Sequence, residues 1–227
     1  IMEKAIDFSL VNDFISIGIL LTAVVLNAVE RLESCVKAYS LNSWLLTLLI
    51  LVPAVKTGNT HLYIAASFTL ATKGIIIPLF LNKIVRQQKI IHVVEPYISN
   101  SLSLALSGIL ITIVYASLSK GISVEGFSNH VFKVSIAVIL IGLLIMITRR
   151  KAITMVVGLL FMENGLFLAG FSFTSGMPVI IELGIMFDML MCVIILGVFV
   201  VQIRHKFYSV DLDKLTTIHD QLTTLKH

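Results

Sequence analysis

Seven apolar runs divide the chain: Phe8–Val29, Ser40–Val55, Leu62–Leu81, Ser99–Leu118, Val131–Thr148, Ala152–Phe171 and Pro178–Ile203. Crossing a hydrocarbon layer of roughly 30 Å takes about 20 helical residues at ~1.5 Å each. The pattern therefore predicts seven transmembrane helices. Leu and Ile dominate every run, with scattered Gly. The ten-residue alternation of a membrane barrel is not the signal here, so the expected fold is all-α, a polytopic membrane bundle. The second run is the shortest and can extend back to Cys35. The first run exceeds a signal-peptide core and lacks a small-residue cleavage site, which makes it a retained span.

Composition sharpens this picture. Of 227 residues, 57% are hydrophobic and 13% charged, and the mean hydropathy is +1.00. Soluble domains carry about 25% charge, so little chain is left for an extramembrane catalytic domain. Cys35 and Cys192 are far apart, and the six histidines show no HxxxH spacing. No metal site, disulfide framework or cofactor is expected from them. The net charge of +4 points to cytoplasmic loops rather than nucleic acid. Placing the C-terminus inside and the N-terminus outside puts Arg31, Lys37, Lys83, Arg86, Lys89, Arg149, Arg150, Lys151, Arg204, Lys206, Lys214 and Lys226 on the cytoplasmic side. Only Lys4, Lys56, Lys120 and Lys133 fall outside. That bias sets an orientation with the N-terminus outside and the C-terminus in the cytoplasm, in a cell inner membrane.

Lys73 belongs to neither group, because it sits inside the third span. It lies some 17 Å from the start of the span, near mid-membrane. Ionisable groups at that depth face protein or a wet cavity, although a lysine can also snorkel toward the headgroups. One turn on, Pro78 supplies no N–H, so the Gly74 carbonyl loses its helical partner and a kink is expected. Glu163 and Asp188 occupy the same depth in the sixth and seventh spans. Such carboxyls can load and release a proton near neutral pH, or can simply hold helices together by hydrogen bonds. Two acids and one base at one level make Lys73, Glu163 and Asp188 the candidate proton-transfer residues, with Asn164 and Glu182 as possible secondary ones. Glu182 also suits the start of its helix electrostatically. Asp13 reads as interfacial, and Asn27 as structural. The last span has no lysine, which argues against a retinal Schiff base.

The segment Ile141–Gly170 resembles the first two helices of the small three-helix K-type subunit of respiratory complex I. The shared features are Arg149-Arg150, Gly158-Leu159, Glu163 and Asn164. The end of the last run, Gln202–Lys206, is similar to the third helix of that subunit. The register departs at Leu160, where the family's membrane glutamate would fall; Glu163 lies nearly one turn later. Asp188 is the nearest substitute for the third-helix glutamate. With four helices in front, Lys73–Pro78 in the third, Phe161–Gly165 in the sixth and Phe187–Leu190 in the seventh, the chain resembles the hydrogenase-4 component E family.

That resemblance implies a non-catalytic membrane subunit of a formate-hydrogenlyase-type hydrogenase, contributing mid-membrane charges to proton or Na⁺ translocation. It implies antiporter-like and anchor membrane subunits as partners, with peripheral hydrogenase and iron–sulfur subunits. A subunit of a multisubunit cation/proton antiporter is the alternative, because such antiporters contain a subunit of K-type fold. A stand-alone transporter finds no inverted repeat to support it. The resulting organisation is a four-helix region (1–130), a K-subunit-like region (131–206) and a tail (207–227). In the tail, Leu215, Ile218, Leu222 and Leu225 form one stripe of a cytosolic amphipathic helix, with Asp211 or Asp213 as cap.

Overall fold

The computed structural model describes residues 8–29, 31–87, 97–118, 129–174 and Gly184, all within the unit Ile1–Met189. The elements among these residues are helices: α1 (Phe8–Ala28), α2 (Leu32–Thr57), α3 (Thr60–Thr69), a π-helical segment (Leu70–Ile76), α4 (Ile77–Gln87), α5 (Asn100–Ser117), α6 (Asn129–Thr148) and α7 (Ala152–Thr174). α3, the π segment and α4 run on as one rod. Six helices among the described residues are thus long and apolar enough to cross a membrane. The seventh expected span, with Glu182 and Asp188, and the tail lie outside the described residues.

α2 starts at Leu32, eight residues before Ser40 and three before Cys35, the position to which the run could extend. The added turns are amphipathic rather than uniformly apolar, which is why a hydropathy pattern catches them only in part. Leu32, Cys35, Val36 and Tyr39 recur at helical spacing and are all buried, while Lys37 between them is exposed. Glu33 in the first turn complements the positive end of the helix dipole. The helix stops at Gly58, whose φ of 64° few other residues adopt; its N–H closes on the Ala54 carbonyl. Asn59 then accepts from the His61 N–H at 3.0 Å and caps α3.

The irregularity expected around Pro78 takes the form of the π segment. Gly74, four residues before the proline, finds a substitute donor in Ser40, whose hydroxyl donates to its carbonyl at 3.3 Å. A freed backbone carbonyl has to be re-satisfied inside a bilayer, and a neighbouring serine does so here.

Hydrogen bonds between helices fix their directions. The Tyr97 N–H before α5 donates to the Thr148 carbonyl at the end of α6, so α5 and α6 are antiparallel. Side chains at the starts of α1 and α6 meet, so those two are parallel. One end of the bundle, the histidine end, carries Asp13, His130 and the α2–α3 turn. The other, the arginine end, carries Arg31 and Arg149. Two-thirds of the α7 span (67%) is buried against 17% for α5, so α7 is the central helix and α5 a peripheral one. Phe14, Leu21, Leu79 and Ile147 point outward, as lipid-facing side chains do.

α6 and α7 cross with their backbones nearly touching. A Cβ on Gly142 would sit 2.7 Å from the Met162 nitrogen, and one on Gly165 2.9 Å from the Ile139 nitrogen. Helices in lipid associate largely through such close van der Waals approach. This crossing holds the middle of α7 in place.

Candidate functional site

Glu163 is the central residue of α7, and Lys73 lies at the centre of the Thr60–Val85 rod. Both are buried, and Lys73 Nζ stands 3.2 Å from Glu163 Oε1. With its side chain 1% exposed, Lys73 does not snorkel. The π segment carries this lysine, and Ser40 donates to the backbone one residue further on. Single π turns recur at functional positions because they re-aim one side chain without breaking the helix. The ammonium also lies 5.5 Å from the centroid of the Phe167 ring, one turn beyond Glu163. Trp44, the single tryptophan of the chain, packs against the same place: a Cβ on Gly74 would lie 3.4 Å from its Nε1.

An amide network adjoins the pair. Asn164 Nδ2 donates to Asn42 Oδ1 at 2.9 Å and to Ser43 Oγ at 3.3 Å. Asn42 Nδ2 in turn donates to Thr22 Oγ1 at 2.7 Å and to the Ile19 carbonyl at 3.1 Å. Polar residues of α1, α2 and α7 are thereby tied together at the depth of the ion pair. A carboxylate and an ammonium in contact can pass one proton between them and become neutral together, with no net change of charge. That is the chemistry available here: storage and movement of a single proton or charge inside an apolar bundle. Among the described residues no cluster of His, Cys, Asp or Glu could hold a metal.

Two further polar clusters flank this level. At the arginine end, Arg149 is buried, 2% exposed. Its Nη2 donates to the Asn27 carbonyl at 2.6 Å and its Nη1 to Asn100 Oδ1 at 3.4 Å. Ser103 Oγ donates to Asn27 Oδ1 at 2.9 Å, and Asn27 Nδ2 donates to Ser107 Oγ. Arg149, one of the cytoplasmic-side charges of the sequence reading, is not a free loop charge: it clamps the ends of α1, α5 and α6. Arg150, its neighbour, is the exposed one and stacks on Tyr97 at 4.6 Å. At the histidine end, His130 Nδ1 lies 3.2 Å from Ser16 Oγ and Nε2 3.1 Å from the Tyr115 hydroxyl. Asp13 Oδ1 is 3.9 Å from Nδ1.

Of the sequence candidates, the structure brings together Lys73, Glu163 and Asn164. Asp188 and Glu182 lie outside the described residues. Sequence reasoning missed Asn42, Ser43 and Thr22, because single polar residues in apolar runs look alike until their helices are paired. It also missed His130, whose partners stand on two other helices.

No family model matches the chain. It is similar to the uncharacterized protein Rv0085 of Mycobacterium tuberculosis, 27% identical over 216 residues, which span 94% of this chain and 98% of that protein. No solved structure matches it.

Proposed function

We propose that this chain is a non-catalytic integral membrane subunit of an ion-translocating oxidoreductase complex of the complex-I-related, nickel–iron hydrogenase type. In this reading Lys73 and Glu163, with Asp188 of the last span, contribute charge at mid-membrane to the movement of protons or Na⁺. The redox chemistry belongs to peripheral hydrogenase and iron–sulfur subunits, and antiporter-like and anchor subunits adjoin this one in the cell inner membrane. The N-terminus faces outward and the C-terminus the cytoplasm.

The observation that supports this most is the Lys73–Glu163 contact of 3.2 Å between two buried side chains at the centres of their helices. A buried ion pair contributes little net stability compared with apolar side chains of the same volume. Intramembrane charges are costly and mark ion pathways. A pair at mid-depth is therefore better accounted for by transport than by packing.

Affinity purification of the tagged chain from its native membrane tests the assignment. Nickel and iron co-purifying with a multisubunit complex is the expected result. A metal-free assembly of membrane proteins would replace the hydrogenase reading with the antiporter one. A lone oligomer would refute both.

A further inference from the structure

The polar atoms around Glu163 are distributed unequally between the two ends of the bundle. Toward the arginine end, α6 and α7 touch backbone to backbone at Gly142, Gly158 and Met162. Beyond them the buried Arg149 guanidinium, a fixed positive charge, closes a hydrogen-bonded cluster with Asn27, Ser103 and Ser107. That end holds a fixed positive charge, which repels cations. Toward the histidine end the same two helices also meet closely, at Gly165 against Ile139 and Ser135, but the buried polar atoms there are differently placed. Asn164 Oδ1, Ser172 Oγ and Asn12 Oδ1 are buried oxygens with no hydrogen-bond partner among the described residues. Ser172 lies eight residues beyond Asn164 on the same face of α7, and Asn12 shares a face of α1 with Ser16 and the Ile19 carbonyl. Buried polar atoms left without protein partners are where internal water binds.

His130 stands at the mouth of this half. It and Asp13 are each about one-third exposed (31% and 34% of their side chains), whereas Ser16 is fully buried. Ser16 donates its only hydroxyl proton to the Asp13 carbonyl at 2.8 Å. In the neutral ring, therefore, Nδ1 carries the proton and Nε2 accepts from Tyr115. Three residues of α1, a rise of about 4.5 Å, separate Ser16 from Ile19, whose carbonyl accepts from Asn42, which in turn accepts from Asn164 beside Glu163.

We infer that His130 is the proton port of this subunit, passing protons between the solvent at the histidine end and Glu163. The inference rests on the reading of Glu163 as a proton-transfer group. The ring takes up one proton from solvent to become imidazolium, with Asp13 beside it as counter-charge. It gives one proton inward from Nδ1, along water held by Ser172 Oγ and Asn164 Oδ1, to the Glu163 carboxylate. The ring is then neutral again and the carboxyl protonated. Among the described residues the titratable groups facing His130 are Asp13 on α1, Tyr115 on α5 and Lys133 on α6; the facing half of α7, Gly165–Thr174, carries none.

The test is proton translocation by the intact complex in vesicles, at matched subunit content, with His130→Ala, His130→Gln and Glu163→Gln. Both His130 variants should lose at least about tenfold in rate, in keeping with the loss of a positioned proton carrier. Added imidazole should restore His130→Ala, an effect that a structural role would not produce. Should the alanine variant fail to assemble, the glutamine variant, which keeps hydrogen-bonding groups, carries the test. Wild-type rates in both His130 variants while Glu163→Gln is inactive would overturn the port and leave Glu163 standing. A loss in His130→Ala that imidazole does not restore would also overturn it. An active Glu163→Gln variant would overturn the reading beneath it.

Discussion

Replacing Lys73 by Met removes one charge from a contact of 3.2 Å. At an effective dielectric of ~20, two unit charges at that separation attract by about 5 kcal/mol. The single variant gives up this attraction and leaves Glu163 buried without its counter-ion, a situation that costs about 3–5 kcal/mol in proteins. The double variant Lys73→Met/Glu163→Gln has no such orphan. Methionine fills most of the lysine volume and the amide keeps the shape of the carboxyl, so its stability should return to within about 1 kcal/mol of wild type. The two sites are thus strongly non-additive.

Trp44 makes this measurable, because the chain has one tryptophan and it packs beside Gly74. Thermal unfolding of the detergent-solubilised protein, followed by its fluorescence, should show the single variant lower by several degrees, at about 2–4 °C per kcal/mol for a chain of this size. The double variant should regain the wild-type midpoint while ion translocation stays lost. A double variant as unstable as the single one would refute the argument, since the pair would then be structural cement. So would a single variant with an unchanged midpoint.

Three other outcomes follow from the same geometry. Gly142→Val should lower the unfolding midpoint by the equivalent of about 1–3 kcal/mol, since the new Cβ meets Met162; Gly108→Ala, with nothing within 4 Å, should leave the midpoint unchanged or raise it. Asn42→Leu should cost about 0.6–1.7 kcal/mol, the range for hydrogen bonds between membrane helices, and should weaken the effect of a following Asn164→Leu when the two are compared in a thermal double-mutant cycle. Arg149→Met should destabilise by about 1.5–3 kcal/mol, and Arg149→Lys should not rescue it, because an ammonium cannot span the Asn27 carbonyl and the Asn100 amide as the guanidinium does; detergent unfolding curves of the two variants decide this.

The helical class and the first six spans are legible in the sequence because length and apolarity alone identify a span, and lipid allows little else. Residues 32–39 are only partly legible that way, as far back as Cys35, since their buried face is a stripe diluted by Glu33 and Lys37. Lys73 and Glu163 stand out by cost: a charge at mid-depth needs an explanation whatever surrounds it. Their meeting is less legible, because contact across helices depends on which helices are neighbours, and no residue in either run encodes that. Asn42 and Asn164 are apart by 122 residues, and the sequence offers each only as one polar side chain among several. Arg149 is the converse case. Its position in a basic turn marks it for the cytoplasmic side, and only the Asn27 carbonyl at the end of α1, which accepts from it, explains why it folds inward.

The central claim is that Glu163 carries a proton at mid-membrane, and Glu163→Gln in the intact complex tests it most directly. The amide keeps the size and shape of the carboxyl but cannot exchange the proton. With wild-type subunit content in reconstituted vesicles, proton translocation should fall to background while the complex stays assembled. Translocation at the wild-type rate would contradict the account.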